Sequence, residues 1–180
     1  VPALCREGMG LVVSPLIALM DDQVAGLRQL GVRAAALHSG LEPDEREQIQ
    51  SDLRNNRIDI LYISPERLLQ PSTANFLSKR QISLIAIDEA HCISAWGHEF
   101  RPEYRALASL PEMFPGVPRI ALTATADPRT RDDILNALGM PDARVLMARF
   151  PRPNLIVEAR ATASESRLLP DPLQNQRAQL

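Results

Sequence analysis

The chain has 180 residues, of which 45% are hydrophobic and 23% charged, and its formal net charge is −2. This length allows one substantial core, while the small net charge excludes a global attraction to nucleic acid, so any such site must be a local patch. No apolar run approaches the ~20 residues of a membrane-spanning helix and no secretory leader is recognisable, so we expect a cytoplasmic protein without a membrane segment. Cys5 and Cys92 form neither a disulfide framework nor a zinc pattern.

The first elements alternate between strand and helix. Residues 10–14 predict a short buried strand, which Pro15 interrupts. Apolar residues then follow helical spacing over 16–30, and Gly31 is placed as a C-terminal cap. On the residues alone, the polar segment 21–23 is an ordinary solvated face of that helix.

Two further strands are predicted on either side of a polar helix. Residues 33–38 and 58–64 have strand character, and residues 43–55 form a helix whose charges favour a solvated face. We interpret His38 as a plain strand-end histidine. Pro65 then marks the start of another helix.

A phosphate-binding P-loop sequence is absent from these 180 residues. Lys79 is the only lysine, and Arg80 follows it at the end of a short helix predicted over 72–80. The pattern G-x-x-x-x-G-K-[ST] needs a lysine followed by a hydroxyl residue, because these groups and the loop amides hold the phosphates.

Residues 84–87 are a continuous apolar run that two carboxylates, Asp88 and Glu89, end abruptly. Such a run predicts a strand buried on both faces of a parallel sheet. Ligands bind at the carboxyl edge of such sheets. Paired carboxylates there suit a Mg²⁺–nucleotide, one holding the hydrated ion and the other accepting a proton from the attacking water.

The segment that follows is rich in aromatic and basic residues, although the whole chain is only 4% aromatic. Trp96, Phe100, Arg101 and Tyr104 fall within nine residues. Such a loop can stack on nucleic-acid bases, whereas burial of these aromatics would also bury their polar neighbours. A zinc site at His91, Cys92 and His98 lacks its remaining ligands.

The C-terminal part predicts a helix over 101–114, a strand over 119–125 and a helix from Asp127 to Leu138. Residues 144–147 have the character of a last short strand. At least five strands alternate with helices, so the expected fold is α/β, a parallel sheet with helices on both faces. Residues 159–180 show no strong periodicity and predict a disordered tail.

DEAH at 88–91, continued by CISAWGHEFRPEY at 92–104, resembles the RecQ family of DNA helicases. Segments similar to further family motifs occur in the family's order: SPLIALMDDQ at 14–23, YISPERL at 62–68, LTATA at 122–126 and FPRPNL at 150–155. Pro151 departs from the Asp that many relatives carry. The resemblance implies an incomplete first RecA-like motor lobe at 1–149, a hinge towards a second lobe at 150–158, and a tail at 159–180.

The resemblance also implies roles for individual residues. Asp88 is expected to bind Mg²⁺ through water, and Glu89 to polarise the hydrolytic water. His91 either transmits the nucleotide state or is a structural hydrogen bonder. The other implied residues contact DNA or couple the two sites: Ser14, Pro15, Gln23, Arg67, Trp96, Phe100 and Arg101 for DNA, and Thr123 and Thr125 for coupling.

The function implied is an ATP-dependent 3′→5′ DNA helicase of recombination and repair, with ATP and Mg²⁺ as cofactors and single-stranded DNA and duplex junctions as partners. We expect the 180 residues alone to be an inactive piece of it. The alternatives are a non-catalytic nucleic-acid-binding remnant and a piece of a DEAH-type RNA helicase, against which the aromatic loop and the hinge speak.

Overall fold

A computed structural model describes residues 2–96 and 99–147, and its core is one sheet of five parallel strands. The strands are β1 (Met9–Val13), β2 (Ala34–Leu37), β3 (Ile60–Ile63), β4 (Ile82–Ile87) and β5 (Arg119–Ala121), in the order β2-β3-β1-β4-β5. Seven helices join or follow them: α1 (Ile17–Gln29), α2 (Pro43–Arg54), α3 (Pro65–Leu68), α4 (Pro71–Ser78), α5 (Pro102–Arg105), α6 (Leu110–Met113) and α7 (Pro128–Ala137). Short 3₁₀ helices span Pro2–Cys5, Ala90–Ile93 and Ala106–Ser109. The predicted α/β fold with a parallel sheet is confirmed.

Strand register places one side chain from each strand in a row across one face of the sheet. Ala36 lies beside Tyr62, Tyr62 beside Val12, Val12 beside Ala86, and Ala86 beside Ile120. Neighbours in parallel register point to the same side, so these five residues share a face. The opposite face carries the larger core, whose members include Leu11, Leu61, Ile85 and Ile87 of the sheet.

The two faces are covered unequally. Helix α1 packs Met20 and Val24 onto the β2–β3 end of the first face. At the other end of that row Ile120 is 39% exposed, and Leu122 just beyond β5 is 46% exposed. The opposite face is covered by side chains of α2, α4, α7 and the segment around α5 and α6.

We predict that the exposed apolar surface beside β5 makes the 180-residue chain self-associate, because an edge strand with bare apolar neighbours is a template for pairing. Replacing Ile120 and Leu122 by threonine should reduce that association, measured by sedimentation velocity. The matched control is Leu30→Thr, a more exposed apolar position beyond the end of α1. A monodisperse wild-type monomer with a sharp thermal transition would show this surface to be harmless.

Some predicted elements differ from the observed ones. The helix predicted over 101–114 is divided into α5, the 3₁₀ helix Ala106–Ser109 and α6. Pro111, in the first turn of α6, has no N–H to continue a helical ladder from the preceding turn. The strand predicted over 119–125 ends at Ala121, and residues 144–147 are not a strand.

The residues up to Ala143 form one compact unit, and the chain from Arg144 onward belongs to a second. The expected hinge at 150–158 and tail at 159–180 lie outside the described residues. Among the described residues, no helix is long and apolar enough to cross a membrane.

Candidate active site

Asp88 directly follows β4 and is held from several sides. Its backbone N–H donates to the Val13 carbonyl at the end of β1, at 2.8 Å. Its carboxylate accepts the Glu89 backbone N–H at 3.0 Å and, more loosely, the Ser14 hydroxyl at 3.4 Å. A half-buried carboxylate at a strand end offers the oxygen ligand that Mg²⁺ prefers, with room for the waters that this ion retains. The residues present therefore fit a magnesium ion.

Glu89 has a left-handed backbone, with φ 48° and ψ 42°. This conformation is uncommon for a residue other than glycine and persists where the surroundings impose it, often at functional sites. It brings the Glu89 carboxylate to 3.2 Å from His91 Nδ1. The backbone thus turns after β4, and the two adjacent carboxylates meet different partners, Ser14 for Asp88 and His91 for Glu89.

His91 connects this turn to the threonines after β5. Its Nδ1 lies 3.0 Å from Thr123 Oγ1, and the Thr123 hydroxyl donates to the Thr125 carbonyl at 3.2 Å. The Ala90 backbone N–H donates to the Leu122 carbonyl at 2.9 Å. His91 is itself buried. The structure therefore brings His91, Thr123 and Thr125 together, in the order that the coupling hypothesis requires.

The residues expected to contact DNA along the strand ends are only partly brought together. Ser14 reaches Asp88, and Pro15 follows it in the bend before α1. Gln23 lies on the exposed surface of α1, and Arg67 donates to Gln70 Oε1 at 2.8 Å. No described contact joins Gln23 or Arg67 to the carboxylates.

Two aromatics of the predicted DNA-contacting loop, Trp96 and Phe100, are exposed, and hydrogen bonds from backbone N–H groups hold the chain at Trp96 and at Arg101. Trp96 is 70% exposed and Phe100 is 44% exposed. The Trp96 N–H donates to Ser94 Oγ at 3.2 Å, and the Arg101 N–H donates to the Cys92 carbonyl at 3.0 Å. Their exposure excludes the alternative interpretation that Trp96 and Phe100 are both core residues.

Tyr104 corrects the grouping of loop aromatics made from the sequence. It is fully buried, and its hydroxyl donates to the backbone carbonyl of Asp88 at 3.0 Å. Burial raises the pKa of this phenol far above its usual value, with smaller contributions from nearby Cys92 and Asp88. The only available sequence signal was its position in the first turn of a helix starting at Pro102, where a core-facing aromatic is ordinary.

Asp133 on α7 is a site residue that the sequence did not indicate. Its carboxylate accepts from Arg105 Nη1 at 2.8 Å. That hydrogen bond is the main cause that lowers the Asp133 pKa, partly opposed by desolvation and aided by contacts to Ser94 and Ala95. Asp133 thus links α7 to Arg105 of α5 and to Ser94 and Ala95, which directly precede Trp96.

We predict that Asp133→Asn lowers stability in a pH-dependent way. A carboxyl with a depressed folded-state pKa stabilises above its unfolded pKa of ~4, and that contribution is lost as pH falls through the folded value. The melting-temperature gap between wild type and variant should be largest at neutral pH and narrow below pH ~4. Asp132→Asn, at the exposed neighbouring position, is the control. A gap independent of pH would contradict the assignment.

Comparison with known proteins places this geometry in a family. The family model described as DEAD/DEAH box helicase matches residues 2–134. The chain belongs to the DEAD/DEAH box helicase family. Within this family its resemblance to the RecQ helicases is confirmed, since it is 48% identical over 155 residues to the ATP-dependent DNA helicase RecQ of Pasteurella multocida and 45% identical to that of Haemophilus influenzae.

The coverage of these matches is unequal. The two bacterial matches include 86% of this chain but only 24% and 25% of the relatives, so the chain spans about a quarter of their length. Among solved structures, the helicase domain of Pyrococcus furiosus Hef matches 76% of this chain and 28% of its own, with a TM-score of 0.54 and 22% identity. That structural match supports the α/β fold of the chain.

Proposed function

We propose that this chain supplies part of the first motor lobe, residues 1–149, of an ATP-dependent 3′→5′ DNA helicase of RecQ type. The observation that carries the proposal is the contact chain from Asp88 and Glu89 through His91 to Thr123, beside an exposed aromatic loop. Its substrates are single-stranded DNA and duplex junctions, and its setting is recombination and repair in the cytoplasm. Residues 150–158 then lead to a second lobe, and 159–180 are a tail.

In this mechanism each carboxylate has its own task. The Asp88 carboxylate, which accepts the Glu89 N–H and the Ser14 hydroxyl, would hold Mg²⁺ through water. The bound ion would neutralise charge on the ATP phosphates. Glu89 orients the attacking water and accepts its proton, and the nearby His91 ring supports the carboxylate in that position.

The DNA side is served by the exposed loop and the strand-end residues. Trp96 and Phe100 are available for stacking on bases, with Arg101 beside them for a phosphate or a base. Ser14, Pro15, Gln23 and Arg67 are proposed to contact the backbone of the tracking strand. Thr123 and Thr125 carry changes between the nucleotide and DNA sides through His91.

We predict that the 180-residue chain alone does not hydrolyse ATP, because it contains no G-x-x-x-x-G-K-[ST] segment to position the phosphates. The extended protein, defined as this chain joined to an N-terminal P-loop segment and a second motor lobe of RecQ type, should release phosphate in a DNA-stimulated manner. Steady-state phosphate release distinguishes the two. An extended protein that binds DNA without turnover would instead favour the non-catalytic remnant, and stimulation by RNA alone would favour the RNA helicase.

A further inference from the structure

A second group of possible ligands lies on the 3₁₀ helix Ala90–Ile93, which directly follows Asp88 and Glu89, and in the loop after that helix. His91, Cys92 and Glu99 place a ring nitrogen, a thiol sulfur and a carboxylate oxygen within 4.8 Å of one another. His91 and Cys92 are buried on the 3₁₀ helix Ala90–Ile93, whereas Glu99 is exposed in the loop. The sequence alone offered His98, which lies outside the described residues, and did not point to Glu99.

The spacing agrees with a tetrahedral ion. His91 Nε2 and Cys92 Sγ are 3.8 Å apart. Zinc bonds of about 2.3 Å to sulfur and 2.0–2.1 Å to nitrogen, at a tetrahedral angle, separate the two ligand atoms by about 3.5 Å. A shift of a few tenths of an ångström therefore suffices. Three protein ligands leave the fourth position for water.

The surroundings of His91 resemble those of a metal-binding histidine. In such sites the ring nitrogen away from the metal donates to a carboxylate or a neutral oxygen, which fixes the ring. His91 Nδ1 has the Glu89 carboxylate at 3.2 Å and Thr123 Oγ1 at 3.0 Å in that role. Nε2, on the Cys92 side, is then the nitrogen that faces the ion.

The charges around the Cys92 thiol are of both signs, so the ligand atoms and not the net charge decide which ion fits. The Arg101 guanidinium, which also forms a hydrogen bond with the thiol, and the Glu99 and Glu89 carboxylates all act on it electrostatically. A nitrogen, a sulfur and an oxygen form a borderline-soft ligand set, which suits Zn²⁺ better than the oxygen-seeking Mg²⁺ of the neighbouring carboxylate.

We propose that His91, Cys92 and Glu99 form a site for a thiophilic divalent cation of the Zn²⁺ class. The ion fastens the aromatic loop, through Glu99, to the 3₁₀ helix that follows the catalytic carboxylates. This site is distinct from the Mg²⁺ position at Asp88, and binding of zinc requires neither ATP nor turnover. Its test is therefore independent of the proposed helicase activity.

The experiment titrates the 180-residue chain with Co²⁺, followed by displacement with Zn²⁺. We expect a thiolate-to-cobalt charge-transfer band that Cys92→Ser abolishes and that Cys5→Ser, at the other and exposed cysteine, retains. Glu99→Gln should weaken Zn²⁺ binding about tenfold or more, and Glu103→Gln, on the exposed side of α5, should leave it unchanged.

Glu99 is exposed, so its variant tests the site even if Cys92→Ser disturbs the core. Circular dichroism of each variant checks the fold. Absence of a charge-transfer band in the wild type would overturn the proposal. Affinities equal in Glu99→Gln and Glu103→Gln, or a band that follows Cys5 instead of Cys92, would overturn it as well.

Discussion

Tyr104→Ala is expected to destabilise the 180-residue chain by about 3–5 kcal/mol, the range found when large aromatic side chains are removed from cores. Tyr104 is among the largest fully buried side chains of the described residues. It packs in the main core with Leu107 and Leu110, and its hydroxyl donates to the backbone carbonyl of Asp88. The measurement is the midpoint and slope of urea unfolding.

Tyr104→Phe tests the contribution of the hydroxyl separately from that of the ring. The phenyl group keeps the packing, while the hydrogen bond to the Asp88 carbonyl is lost, so we expect a cost of about 1 kcal/mol. The control is Tyr62→Phe at the other tyrosine, a half-buried residue of β3 whose hydroxyl makes no hydrogen bond among the described residues. Equal losses in the two phenylalanine variants would contradict an anchoring role for the Tyr104 hydroxyl.

Replacing Trp96, Phe100 or Arg101 by alanine in the extended protein is expected to remove most of the DNA stimulation of ATP hydrolysis. Stacking on a base contributes ~1–3 kcal/mol, and an arginine contact adds a salt-dependent share. DNA can shift the motor only as far as it favours one state of this loop. The basal rate and nucleotide binding should remain close to wild type, because Trp96 and Phe100 are exposed and no contact given for the described residues joins these three side chains to Asp88.

The readout for these loop variants is phosphate release with and without single-stranded DNA, together with a nucleotide-binding titration. Leu30→Ala, an exposed apolar position far along the sequence, controls for general loss of surface area. Asp88→Ala should differ from all loop variants by impairing hydrolysis in both conditions. Full DNA stimulation in the loop variants, or loss of nucleotide binding instead, would show that the loop does not sense DNA.

Local sequence patterns predicted the central architecture well for physical reasons. The run from Leu84 to Ile87 has no polar side chain and forms strand β4 as predicted, but only Ile85 and Ile87 are buried, and Leu84 and Ala86 on the other face are half-buried. Gly31, with φ 79°, and the Asp127 cap, which accepts the Thr130 N–H at 2.7 Å, ended and began helices where predicted. These features depend on neighbours in sequence, which a pattern contains.

The missed features depend on contacts distant in sequence. Asp133 meets Arg105 across 28 positions. The sequence placed Tyr104 among the exposed aromatics because nothing local distinguishes a ring that turns inward. His38, interpreted as a plain strand-end residue, is buried with Nε2 3.2 Å from Asp21. Tertiary packing decides each of these positions.

We propose that Glu89, held in place by its left-handed backbone and by His91, activates water for ATP hydrolysis. The most direct measurement compares wild-type and Glu89→Gln extended proteins in phosphate release and in nucleotide binding, with Glu103→Gln as the control. We expect Glu89→Gln to lose about 10²–10⁴-fold in turnover, with nucleotide affinity unchanged within about twofold. Turnover in Glu89→Gln equal to that of Glu103→Gln would contradict it.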